Sequence, residues 1–239
     1  MTSIPHLGNL PTAMLSESTL SRLAARQNEV SANSARLYQT IAKDFPESRV
    51  EELQAAVAAI VSDNVPLPEK IRRLQLLASD MLRPIQPHIP CRAGCSACCQ
   101  FLRVPISQTE AEMIGEFIGR APATLPAGSP TAPAKPSGKF GIPCPFLKEN
   151  RCSVYEVRPV ACRTHIVLDI DNLLCGYENA VLAEQLDPRA VGIPRLNASV
   201  VTNAYWQIHR EQQQASADIR QFFPLPDDDR APVTNTPAD

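Results

Sequence analysis

Apolar residues recur at helical spacing through the first third of the chain. From Ser16 onward, Leu20, Leu23, Ala24, Val30, Leu37 and Ile41 form a rough stripe, with Ser16 placed to cap the first turn and Glu17 to face its unpaired N–H groups. Asp44-Phe45-Pro46 interrupts the stripe, because a residue before proline is pushed out of the helical region. Pro46 suits the first position of a second helix, whose face is Val50, Leu53, Val57, Ile60 and Val61. Ile71, Leu74, Leu77, Ala78, Met81 and Leu82 predict a third helix from about Pro68 to Arg83, stopped by Pro84. Three such faces cannot be buried alone, so residues 16–83 are expected to pack as antiparallel helices against the rest of the chain.

The pattern then breaks. RPIQPHIPCRAGCSACCQFLRVPI has three prolines before its first cysteine and cannot be one continuous helix. Ser107 and Glu110 have capping-box spacing, Ile106 is placed to staple against Ala111, and Met113, Ile114, Phe117 and Ile118 give a short helix its face. Residues 121–141, rich in Ala, Pro, Gly and Ser, read as a long exposed loop. Helices follow at Glu178–Glu184 and Asn197–Gln214, the latter carrying Val200, Val201, Tyr205, Trp206 and Ile208. The expected organisation is a flexible arm (1–15), an N-terminal helical region (16–87), a cysteine-cluster domain (88–178), C-terminal helices (179–217) and a disordered tail (218–239). Residues 123–138 and 222–239 are expected to be mobile. The fold class is mainly α: a helical extension packed on an irregular cysteine-rich metal-binding core.

Charge and composition narrow the function. With 23 Lys plus Arg against 25 Asp plus Glu, the formal charge is -2, which provides no field for non-specific nucleic-acid binding. The 23 prolines against 9 glycines point to proline-marked linkers around packed helices. Met1–Leu15 lacks the pattern of a secretory signal, and no run of about 20 apolar residues suggests a membrane span. A cytoplasmic, reducing setting is therefore expected, where clustered thiols hold metal rather than forming disulfides.

The eight cysteines are Cys91, Cys95, Cys98, Cys99, Cys144, Cys152, Cys162 and Cys175. The first four read C-x3-C-x2-C-C, and a Cys-x2-Cys step lets one turn aim two thiolates at one ion or cluster. Adjacent Cys98 and Cys99 diverge and should not both reach one centre easily, which argues against a plain four-cysteine zinc knuckle. Soft thiolates select an iron–sulfur cluster or zinc over oxygen-preferring ions, with a mononuclear iron ion also open. Closing 91–99 and 144–162 on one cluster, of the 4Fe-4S kind, favours Cys95, Cys99, Cys144 and Cys162 as ligands, with Cys91, Cys98, Cys152 and Cys175 as further candidates. Arg92, Arg103, Arg151, Arg158 and Arg163 intersperse with the thiols, and Arg158 and Arg163 are the ones expected to offset thiolate charge. Of His6, His88, His165 and His209, His165 is expected near the centre.

The series CRAGCSACC, then CPFL at Cys144–Leu147, then CSVYEVRPVACR from Cys152 to Arg163, resembles the YkgJ-type cysteine-cluster family, whose members are described as zinc- or iron-chelating. The likeness covers roughly residues 88–178; the family's first motif is C-x2-C-x2-C-C, and here Cys91 and Cys95 stand three residues apart. Some relatives act as flagellin lysine methylases, with which an iron–sulfur cluster is associated, but this chain has no S-adenosylmethionine signature, so that activity is not carried over. The resemblance implies that Phe146 covers Cys144 and that Tyr155, Val154 and Val157 pack around Cys152. Three functions follow: an iron–sulfur protein with an accessory or redox role and a protein partner; a cluster- or iron-dependent protein-modifying enzyme, its pocket between the helical extension and the 120–141 loop; or a structural zinc-binding interaction protein. Catalytic residues are not indicated.

Overall fold

The structure, a computed structural model, describes residues 15–91, 94–126 and 142–225. Among them are eight α-helices and four short strands, so the chain is mainly helical as its periodicity predicts. α1 runs Glu17–Asp44, and the Thr19 N–H donates to Ser16 Oγ at 3.1 Å, the expected cap. α2 (Glu47–Ser62) follows Pro46, which takes the cap position rather than the first helical one. α3 (Leu67–Leu82) carries its proline in the first turn, where no N–H is missed, and buries Ile71, Leu74, Ala78 and Met81.

α2, α3 and α7 (Ser199–Glu211) share the largest apolar core with Ile85, Ile89, Val160, Ile166 and Leu168. α1 takes a different course from simple antiparallel packing on α2. Its Leu23 joins Leu173, Leu174, Leu182 and Val191 near α6 (Tyr177–Glu184). The Arg26 guanidinium, itself buried, pairs with the fully buried Asp169 and, at 3.0 Å, with Asp171. Helical periodicity locates α1's apolar face, but this buried ion pair fixes its docking.

α4 (Gln108–Ile118) begins at Ser107, whose Oγ accepts from the Glu110 N–H, and ends on Gly119, at φ 67°, a left-handed cap that glycine adopts without Cβ strain. Ile106 and Ala111 are both fully buried, but Phe117, expected on the buried face, is 48% exposed. Only half of the capping box forms. The Ser107 N–H donates to the Tyr205 hydroxyl at 2.8 Å, and the Glu110 carboxylate turns inward.

A second core gathers Ile106, Ile114, Phe146, Val154, Ile219, Phe222 and Phe223. Two of its strands, β1 (Pro105–Ser107) and β4 (Ser216–Asp218), pair antiparallel with Pro105 opposite Asp218. The start of the expected tail is therefore structured: Asp218 caps α8 (Ile219–Phe222), and Phe222 and Phe223 are each 1% exposed. The acidic, proline-rich composition beyond Phe223 hides two aromatic anchors at its start. Of the expected loop, Ala123 is tied by its N–H to Phe222 O at 2.8 Å. Residues 127–141, the arm up to residue 14 and the tail from 226 lie outside the described residues.

Candidate metal centre

Short, locally specified pieces deliver each cysteine. Cys98 and Cys99 sit in the 3-10 turn Ala97–Gln100, and the Cys144 N–H donates to Cys99 O at 2.8 Å, joining the two cysteine segments through their backbones. Cys144 leads into a hairpin of β2 (Leu147–Lys148) and β3 (Arg151–Cys152). Its turn residues Glu149 and Asn150 have φ of 48° and 58°, the left-handed pair that a two-residue hairpin requires. Cys162 rides α5 (Val160–Thr164), which Arg158-Pro159 introduces in extended conformation. Cys175 closes the 3-10 turn Leu173–Cys175 and is buried; all eight are free thiols.

Four thiols sense one another. Burial pushes Cys144 up to about 12, with negative charge at Cys99 and Cys152 adding to the effect. Burial raises Cys162 well above the ordinary thiol range, and Cys144, Cys99 and Cys152 raise it further. Cys152 is raised by burial and by Cys99. Cys99 is raised first by its hydrogen bond with Cys98, then by burial. The remaining thiols form another group: burial pushes Cys175 up to about 12, with Cys91 and Cys95 contributing, and Cys91 is raised by burial and by Cys95. Three of the four favoured residues, Cys99, Cys144 and Cys162, thus act electrostatically with Cys152, whereas Cys95 acts with Cys91 on Cys175. Cys98 and Cys99 lie in a 3-10 turn, and Cys98 is the first cause of the raised pKa of Cys99. Among the described residues, no three Cys, His, Asp or Glu side chains are already drawn around one metal point.

Cations surround the thiols unequally. The positive charge of Arg158 acts on Cys91, Cys99, Cys152 and Cys162, reaching both groups. Its guanidinium lies 4.4 Å from the centroid of the Tyr155 ring, and its buried Nε has no hydrogen-bond partner among the described residues. Tyr155 is 39% exposed, so it supports Arg158 instead of sealing Cys152 from solvent as expected. Phe146, 4% exposed, packs in the apolar cluster against which Cys144 and Cys152 rest. Arg163 is chiefly a brace: it donates to Arg158 O at 2.8 Å, Glu156 O at 2.6 Å and Ser79 Oγ at 2.5 Å, holding α5 to α3. Arg92 lies outside the described residues, and Arg103 pairs with Glu184 at 2.9 Å.

Two contributors escape a reading of the cysteine motifs. Arg220, 2% exposed, donates to Leu102 O at 3.0 Å and Ile142 O at 2.7 Å while pairing with Asp218, so it bridges the segments that carry Cys99 and Cys144. Its charge opposes the upward shifts of both thiols. It stands within the expected tail, where no motif marks it. Glu110, fully buried, accepts from the Val160 N–H at 2.8 Å, Gln75 Nε2 at 3.0 Å and the Tyr205 hydroxyl at 2.7 Å, anchoring α5 to three other helices. The Ser107/Glu110 spacing finds this residue, though for the wrong partner.

On one side of α5 lies a cleft of about 220 Å³. His165 lines it, with a buried Nε2 that has no hydrogen-bond partner among the described residues. Burial, and secondarily the charge of Arg195, lowers its pKa to about 4, leaving a neutral imidazole at pH 7. The cleft belongs to α5, α7 and the Pro105 end of β1, and residues 127–141 of the loop expected to border a pocket lie outside the described residues.

Residues 90–179 match the model of the CxxCxxCC family, described as "Putative zinc- or iron-chelating domain". No curated protein and no solved structure matches the chain.

Proposed function

We propose, from the premise that residues 90–179 form a zinc- or iron-chelating CxxCxxCC domain, that this chain binds an iron–sulfur cluster and uses it in an accessory or redox role with a protein partner. The supporting observation is that the Cys144-to-Cys99 backbone bond and the β2–β3 hairpin join the segments that carry Cys99, Cys144 and Cys152, whose charges all raise the pKa of Cys162. A soft, all-sulfur donor set suits iron–sulfur or zinc, so the residues present fit the group the family implies. Arg158 and Arg220 place positive charge beside the thiols, which offsets the negative charge of a thiolate-ligated cluster. Bound there, the cluster would supply one-electron chemistry. The chain's own residues hold and shape the site: Phe146 excludes water beside Cys144 and Cys152, Arg163 and Glu110 fix α5, and Arg220 holds the two segments together. Eight free thiols accord with a reducing, cytoplasmic setting, and no helix among the described residues is long and apolar enough to cross a membrane.

Eight single Cys-to-Ser variants, purified without oxygen and assayed for iron, zinc and acid-labile sulfide, test the site. Loss at Cys99, Cys144, Cys152 and Cys162 supports it. Full metal retention in the Cys144, Cys152 and Cys162 variants would remove the site. Full zinc without sulfide in the unmodified protein would replace the cluster by a structural zinc ion. A second reading, a cluster- or iron-dependent enzyme, is favoured by one observation: the cleft flanks the short helix that carries Cys162.

A further inference from the structure

We infer that the cleft between α5 and α7 is a binding site for a small monocarboxylate with a flat or apolar body, held by Arg195 and His165 against Trp206. The wall is formed by Pro105, Thr202, Tyr205 and Trp206 with those two residues. At about 220 Å³ the space equals the liquid volume of roughly seven waters, which suits a compact metabolite-sized molecule rather than a nucleotide or peptide.

The polar groups at the wall separate into spent and unspent. The Tyr205 hydroxyl donates to Glu110 Oε2 at 2.7 Å and accepts from the Ser107 N–H at 2.8 Å, so Tyr205 offers the cleft mainly its ring. The Thr164 and Thr202 hydroxyls donate to Val160 O at 2.8 Å and Ala198 O at 3.3 Å. Left over are two groups. His165 Nε2 is buried with no hydrogen-bond partner among the described residues, and a buried polar atom in that state is costly unless something arrives to bond it. Arg195 is exposed and forms no ion pair among the described residues, while Val167 and Arg195 pair through the backbone and hold its position.

These two groups specify the ligand's chemistry. A guanidinium presents a planar fork that matches a carboxylate with two parallel hydrogen bonds. His165 is neutral at pH 7, so one positive charge faces the ligand. A carboxylate balances that charge; a phosphate dianion would leave its second charge uncompensated in a half-enclosed site. Trp206, half-buried and set edge-on to Tyr205 at 4.7 Å between ring centroids, offers an aromatic surface for the ligand's body.

Trp206 is the only tryptophan in the chain, so it reports occupancy directly. Benzoate is titrated into the protein as purified, following tryptophan fluorescence and, in parallel, calorimetric heat; benzyl alcohol, benzylamine and phenyl phosphate serve as comparison probes. Benzoate should bind saturably, and Arg195→Gln should weaken it at least about tenfold, a difference of about 1.4 kcal/mol. The neutral alcohol should lose a similar factor. His165→Phe, which removes the nitrogen and narrows the cleft, should weaken benzoate further. Arg195 is exposed and forms no ion pair among the described residues, so its replacement should leave the fold intact, and far-ultraviolet circular dichroism checks this. The inference is overturned by the absence of saturable binding in both readouts, by equal affinity of Arg195→Gln, or by benzyl alcohol or phenyl phosphate binding as tightly as benzoate. It does not depend on the metal assignment: iron, zinc and sulfide contents of the same samples are read separately.

Discussion

Glu110 concentrates more structure than any single cysteine. Its carboxylate takes hydrogen bonds from Val160 on α5, Gln75 on α3 and Tyr205 on α7, and burial raises its pKa despite them. Replacement by Leu would leave the Val160 N–H and the Tyr205 hydroxyl buried and without acceptors, so a loss of about 3 kcal/mol is expected by urea denaturation. Tyr205→Phe, which leaves two donors to Glu110 but takes the acceptor from the Ser107 N–H, should cost less, about 2 kcal/mol. His165 makes a pH-dependent contribution of known sign. Its pKa falls from 6.5 to about 4 on folding, so between those values the unfolded chain binds more protons than the folded one, and stability declines as pH falls through that window. The decline attributable to it is on the order of 3 kcal/mol. His209, also lowered by burial, adds to it in the same direction. Urea midpoints measured from pH 7 to pH 4 should fall less steeply in His165→Gln than in the unmodified protein; identical slopes would show that His165 is not the group responsible.

At the level of elements, periodicity located α1, α2, α3 and α7 because each has a repeating apolar face and a marked start, such as Ser16. It could not locate long-range polar pairings, which have no local pattern. Arg26–Asp169 spans 143 positions in sequence and docks α1; Arg220 reaches back to Leu102 across 118. β4 and α8 were illegible for a related reason: they are short, and their partner strand lies over a hundred residues away. The cysteine spacing made the candidate site visible but not its partition, since the grouping of Cys152 with Cys99 depends on the 149–150 turn folding the hairpin back. Arg220→Leu tests this level. It leaves the buried Asp218 without its cation and two part-buried carbonyls without their donor, so a loss of about 3 kcal/mol is expected together with lower metal occupancy. Arg220→Lys should not restore either, because one ammonium group cannot span Leu102 O, Ile142 O and Asp218 as the guanidinium fork does. Metal and sulfide content measured beside the denaturation curve distinguishes a loosened site from a merely weaker fold.

For the whole molecule, the raised thiol pKa values couple metal, protons and stability. Without metal, Cys144 near 12, Cys162 well above the usual range, and Cys99 and Cys152 raised alongside them remain protonated at pH 7. Because the folded-state values exceed those of the unfolded chain, the stability they lend the metal-free fold is complete below about pH 8.5 and is lost as pH rises through the folded values. Metal reverses this dependence. Each ligating sulfur must shed its proton, so loading should release up to about four protons per centre, and zinc affinity should climb steeply between about pH 6 and pH 8. Adding zinc to metal-free protein in weak buffer with an indicator dye measures the release directly. Denaturation midpoints at about pH 10 should then fall for the metal-free protein but hold for the zinc-loaded one. Zinc uptake with no proton release would mean that oxygen or nitrogen groups, not Cys99, Cys144, Cys152 and Cys162, take the ion. Release that persists undiminished in a Cys99/Cys144/Cys152/Cys162→Ser quadruple variant would move the site to Cys91, Cys95 and Cys175.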